Sequence, residues 1–149
     1  MYSITAASVS DYNSELYYVD NRLIGGATID LGWTPSALNW TDNLVLSKQD
    51  MIEFHDAWLS GEPDLRIPGI SPLYNKDFGN LPPAIFVVGN QDPLYDDSLF
   101  GAMKWHMAGN ETELVVFPDS YHGFCRLGGP DCEKGLATSE SFVIRHART

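Results

Sequence analysis

Two short apolar runs separated by one amphipathic stretch constrain this chain more than anything else in it. Ala84-Ile85-Phe86-Val87-Val88 is continuously apolar and bounded by Pro83 and Gly89, the pattern of a strand covered on both faces. Leu114-Val115-Val116-Phe117 repeats it. Between them Asp96, Asp97 and Ser98 offer caps to a helix over about 96–108, with Leu99, Ala102, Met103 and His106 on one stripe and Gly109 as its end. Strand, helix, strand at this spacing is a βαβ unit, whose right-handed crossover places the two strands parallel in one sheet. The class is α/β, with parallel strands about 84–88 and 113–117.

The flanks are less regular. Ser47-Lys48-Gln49-Asp50 resembles a capping box, and Met51, Phe54, His55, Trp58 and Leu59 follow at helical spacing, so a flanking helix is expected over about 48–59. Pro63, Pro68, Pro72, Pro82 and Pro83 then fix φ and remove donors, which makes 61–83 an extended connection over the surface. Residues 1–46 are rich in Ser, Asn, Asp, Tyr and Gly without a sustained apolar period, and read as loops and short turns. In the tail, the Gly-rich turn CRLGGPDC precedes Leu136–Thr149, where Phe142, Val143 and His146 suit a short helix.

Charge narrows the partners. The formal net charge is −11, which repels phosphate backbones and anionic headgroups, so no nucleic-acid role is expected. No apolar run approaches the ~18 residues that span a bilayer, so no membrane span is expected. Cys125 and Cys132 flank the Gly-rich turn, and the spacing fits a small disulfide loop and two unpaired thiols equally well. Asn39-Trp40-Thr41 and Asn110-Glu111-Thr112 are glycosylation triplets that also arise by chance, and no compartment follows from them.

Functional side chains of open parallel sheets collect just beyond the carboxyl ends of the strands. After the first strand comes Gly89-Asn90-Gln91-Asp92-Pro93-Leu94-Tyr95-Asp96-Asp97, and after the second Pro118-Asp119-Ser120-Tyr121-His122-Gly123-Phe124. Pro93 keeps Asp92 out of helical angles at the strand tip, and Gly123 lets His122 stand on a tight loop. Neighbouring parallel strands lie ~4.8 Å apart, so their exit loops can bring an Asp carboxylate to a His nitrogen. Taken singly, an Asp-Pro is an ordinary turn and a loop histidine an ordinary surface group. Their shared edge is what marks Asp92 and His122 as candidate catalytic residues. His55 and His146 lie away from the strand ends and read as structural or exposed.

The ordered set Ser71-Pro72-Leu73, Leu81-Pro82-Pro83-Ala84, Gly89 through Asp97 and Tyr121-His122-Gly123-Phe124 resembles the carboxyl-terminal portion of the hormone-sensitive-lipase-like esterases, within the α/β-hydrolase superfamily. The resemblance covers about 47–124. It implies one partial α/β-hydrolase domain over 1–149, with 1–46 as a cap-proximal or loop-rich segment and 47–149 as the βαβ unit carrying the acid and histidine loops. In that family the triad runs Ser, acid, His along the chain, which makes Asp92 the acid and His122 the general base, acting on a small-molecule ester without any cofactor. Asp96 matches a family acid too, and is given a capping role. Trp33, Trp40 and Tyr17-Tyr18 could line an apolar lid or simply pack.

The Gly-x-Ser-x-Gly elbow and the His-Gly-Gly oxyanion segment of that family are absent from the chain. Gly69-Ile70-Ser71-Pro72-Leu73 comes nearest, but Pro72 has no N–H to donate to an oxyanion, and Ser120 has no elbow around it. The expectation is a truncated hydrolase, from an incomplete gene model, a pseudogene product or a chain whose other half is supplied separately, with the natural start left open and an exposed sheet edge open to self-association. A non-catalytic α/β module binding an apolar ligand or a partner chain is the rival reading. Metal binding through His122 with Asp119 or Asp92 ranks last, for want of ligands, and no metal is expected.

Overall fold

In a computed structural model, the residues described are 17–20, 34–39, 45–59, 61, 64–68 and 70–146. Three parallel strands form the sheet in the order β1 (Tyr17–Asp20), β2 (Ala84–Gln91), β3 (Thr112–Tyr121), with β2 at its centre. Four helices accompany it: α1 (Pro35–Asn39), α2 (Lys48–Trp58), α3 (Tyr95–Met107) and α4 (Pro130–His146).

The βαβ unit is present as expected. Side chains of β2 alternate between the faces of the sheet, as the two-residue strand period requires. Ala84 and Phe86 meet Ala102 and Trp105 of α3, whereas Ile85 and Val87 join Phe117, Phe124, Cys125, Cys132 and Phe142 on the α4 side. This double burial is why the run reads as continuously apolar.

Several expectations change. The loop reading of 1–46 does not hold for Tyr17–Asp20, which pairs parallel with Ala84–Val87, nor for the helix α1. Four residues carry too little pattern to be read as a strand, and a buried neighbour supplies the ladder. As a result the β2 edge, expected to be bare, is covered by β1. The stripe of α3 is also rotated: Ser98 and Ala102 are buried and Trp105 half-buried, while Met103 is 57% exposed. Gly101 explains this, because its missing Cβ would sit 3.0 Å from the Phe86 ring, so the small-residue face lies closest to the sheet. Helix α2 forms as expected with its capping box, Ser47 and Asp50 bonding each other's backbone N–H at 3.0 and 2.8 Å. Among its described side chains Met51 is the buried one, against Ala37 and Leu94, and Phe54 is exposed. The side chains of His55 and Trp58 lie outside the described residues, as does the lid expected from Trp33, Trp40 and Tyr17-Tyr18.

The tail holds a further difference. Helix α4 begins at Pro130, inside the Gly-rich turn, and runs seventeen residues. Its signals are a proline at the first position, Asp131 and Glu133 in the first turn and Arg145 and His146 in the last, all favourable to the helix dipole. Cys125 and Cys132 are buried thiols, and Cys132 donates its S–H to the Cys125 carbonyl at 2.9 Å.

His146 anchors the far end of α4. Its Nε2 lies 2.9 Å from Glu111 and its Nδ1 2.8 Å from the Phe142 carbonyl, so both ring nitrogens face oxygens, which only the doubly protonated ring satisfies. The Glu111 bond, then the Phe142 carbonyl, raise its pKa above the ordinary 6.5, while the neighbouring Arg145 opposes them. A raised folded-state value means that this stability is complete below 6.5 and lost as pH rises through the folded value. Glu111→Gln is therefore expected to flatten the fall in melting temperature on the alkaline side of 6.5, a small effect because Glu111 is 62% exposed. Thermal melts across that range check it.

Candidate active site

Asp92 is the first residue past β2 and is fully buried. A buried carboxylate demands partners. Its Oδ1 accepts the Leu94 N–H at 2.8 Å and its backbone carbonyl accepts the Tyr95 N–H at 3.0 Å, closing a turn ahead of α3. Across the strand gap, His122 Nδ1 lies 3.1 Å from Oδ2 and 3.3 Å from Oδ1. The two sequence candidates are thus brought together, on the rim where β2 and β3 both end.

His122 reaches that position through a bulge. Gly89 pairs with Phe117 but Gln91 pairs with Tyr121, so Asn90 alone opposes Pro118, Asp119 and Ser120. Pro118 has no N–H for the ladder, and Asp119 takes a left-handed φ of 55°. Asn90 Oδ1 holds that strained residue by accepting its N–H at 2.7 Å. Gly89 makes the approach possible: a Cβ there would stand 2.0 Å from the Ser120 carbonyl oxygen. Beyond β3, Gly123 has φ 67° and turns the chain away under the imidazole.

The imidazole side chain keeps 19% of its surface exposed. Among the described residues no group bonds its Nε2. A carboxylate at Nδ1 fixes the tautomer that carries the proton there and leaves the Nε2 lone pair outward, poised to accept a proton.

The serines fall elsewhere. Ser71 is fully buried ahead of a short 3-10 turn over Pro72–Tyr74, and among the described residues no strand leads into it. Ser120 is 4% exposed, with its hydroxyl 3.3 Å from both the Pro118 carbonyl and Asp131. Asp119 and His122 form no metal cluster: among the described residues no three His, Cys, Asp or Glu side chains converge.

Neither Gly89 nor Pro118 stood out in the sequence as a contributor, although a glycine ending one apolar run and a proline following the next signal a close crossing and a break in the ladder.

The alpha/beta hydrolase fold family matches residues 27–126. Ethyl acetate hydrolase of Pseudomonas putida is 28% identical over 114 residues, covering 75% of this chain and 36% of its own. Carboxylic ester hydrolase LipN of Mycobacterium tuberculosis is 31% identical over 118 residues, covering 71% and 31%. The solved ester-hydrolase EH1AB1 from the metagenome of Lake Arreo superposes with a TM-score of 0.68 at 29% identity, covering 82% of this chain and 39% of its own. The chain spans about a third of the length of the curated relatives it matches.

Proposed function

Since the chain belongs to the alpha/beta hydrolase fold family, in its hormone-sensitive-lipase-like branch, we propose that it carries the acid and base of a carboxylic ester hydrolase, Asp92 and His122, and that the nucleophilic serine lies outside these 149 residues. The observation that supports it most is the 3.1 Å approach of His122 Nδ1 to a fully buried carboxylate at the sheet rim.

The chemistry follows from that pair. A serine hydroxyl attacks the ester carbonyl and gives its proton to His122 Nε2, and Asp92 stabilises the imidazolium so formed. The proton then passes to the departing alkoxide, and water cleaves the acyl-enzyme by the same route. No cofactor is called for. A substrate of this kind is a small-molecule ester, in keeping with the names of the two curated relatives. Self-association belongs to the same proposal, through the outer edge of β3, beyond which no described strand lies.

The 149-residue chain alone is expected to hydrolyse a short-chain nitrophenyl ester no faster than free imidazole and to take up no fluorophosphonate. A fast, fluorophosphonate-sensitive rate would place the nucleophile within it and overturn the proposal. Coding sequence upstream of Met1 should supply a Gly-x-Ser-x-Gly and a His-Gly-Gly segment. The longer product should then lose activity about a thousandfold or more on His122→Ala. A longer product with neither segment and no turnover would favour the non-catalytic module.

A further inference from the structure

Helix α3 begins without a local cap: the residue ahead of it is Leu94, whose side chain can bond nothing. The N–H groups of its first turn must be satisfied from elsewhere. Ser36, sixty residues earlier, does this. Its hydroxyl accepts the Asp96 N–H at 3.1 Å and donates to the Pro93 carbonyl at 2.8 Å. The exchange is reciprocal, because the Asp96 carboxylate accepts the Ser36 N–H at 2.7 Å, itself a first-turn donor of α1. Each helix thus supplies the other's cap, a capping box assembled between two helices instead of within one. Asp96, expected to cap its own helix, caps α1.

The location of this exchange gives it a consequence. Pro93 and Asp96 bracket Leu94 and Tyr95, the two residues whose N–H groups the Asp92 turn binds. The turn that aims Asp92 at His122 is therefore gripped at both its exit and the helix it feeds. Ala37, Leu94 and Met51 fill the space behind it with apolar contact. We infer that Ser36 and Asp96 are positioning residues for the Asp92–His122 pair, holding the Asp92 turn so that its carboxylate keeps the Nδ1–H tautomer of His122. The inference rests on the pair proposed above. It also ties the site to α1.

Thr34 provides the contrast. It caps α1 at Ala37 and reaches Asp97, each at 3.4 Å, but makes no bond to Pro93 or Asp96. Its loss loosens α1 and removes one bond to Asp97, while the bonds to Pro93 and Asp96 stay in place.

The test reads the tautomer of neutral His122 from the nitrogen chemical shifts of its ring, with thermal melts to confirm that each variant is folded. Asp92→Asn should convert the ring from Nδ1–H to Nε2–H. Ser36→Ala and Asp96→Ala should each leave a folded protein in which Nε2–H is the larger share. Ser36→Thr, which keeps the hydroxyl, should restore Nδ1–H, and Thr34→Ala should lower the melting temperature with the tautomer unchanged. If Asp92→Asn converts the ring while Ser36→Ala and Asp96→Ala do not, the positioning role is wrong and the pair stands. A tautomer that follows Thr34→Ala as fully as Ser36→Ala also overturns it, since any loosening of α1 would then suffice. If Asp92→Asn itself changes nothing, the pair fails first.

Discussion

Phe142→Ala is expected to destabilise the fold by about 3–5 kcal/mol, the range for truncating a fully buried aromatic. The side chain is 0% exposed and lies among Ile85, Val87, Phe117, Phe124, Cys125 and Cys132. With Cys132 it brings α4 against the central strand, its neighbour β3 and the turn that follows His122. Removing the ring leaves a cavity that neighbours drawn from four separate elements cannot close together. Against a total stability of about 5–15 kcal/mol for a domain, such a loss lowers the urea midpoint severely. Urea unfolding followed by tryptophan fluorescence measures it. A loss below about 1 kcal/mol would mean that α4 is not seated on the sheet as described.

Gly89→Ala is the second large effect, and it differs in kind. The added Cβ would meet the Ser120 carbonyl oxygen at 2.0 Å and its carbon at 2.5 Å, and these are backbone atoms that no rotamer change can move aside. Overpacking of this sort costs about 3 kcal/mol, or roughly 10 °C in melting temperature. The strain also has a direction. Ser120 stands two residues before His122, so relief comes by pushing the bulge off β2 and carrying the imidazole with it. The variant should therefore lose both stability and the Asp92 contact. An alanine accepted at wild-type stability would show that β3 does not cross Gly89 at this distance.

Much of this arrangement is legible in the order of residues, and the reasons are local. Ala84 through Val88 is buried on both faces, so its apolar run needed no partner to be recognised. Asp92 and His122 were found because strand ends are where such side chains gather and because Pro93 and Gly123 mark non-helical backbone beside each. The capping box at Ser47 and Asp50 involves residues three apart and formed as read.

What escaped depends on partners distant in sequence. Tyr17–Asp20 is a strand because β2 pairs with it, and four residues of mixed polarity do not announce that. The α3 stripe was misread because apolarity favoured Leu99 and Met103, whereas Gly101 and Ala102 let the helix come close to Phe86. Helix α4 was shortened because the glycines ahead of Pro130 looked like a turn extending to Cys132, when the proline already starts the helix. Ser36 carries no local sign of its bond to Asp96, since the cap it supplies belongs to a helix sixty residues on.

The proton on the His122 ring is decisive. Long-range nitrogen–proton correlation on the labelled 149-residue chain, at alkaline pH, reports which nitrogen carries it. With Asp92 accepting at 3.1 Å, the proton belongs on Nδ1 and Nε2 is bare. A neutral His122 found chiefly as Nε2–H in the native chain would contradict the pairing and the esterase chemistry built on it.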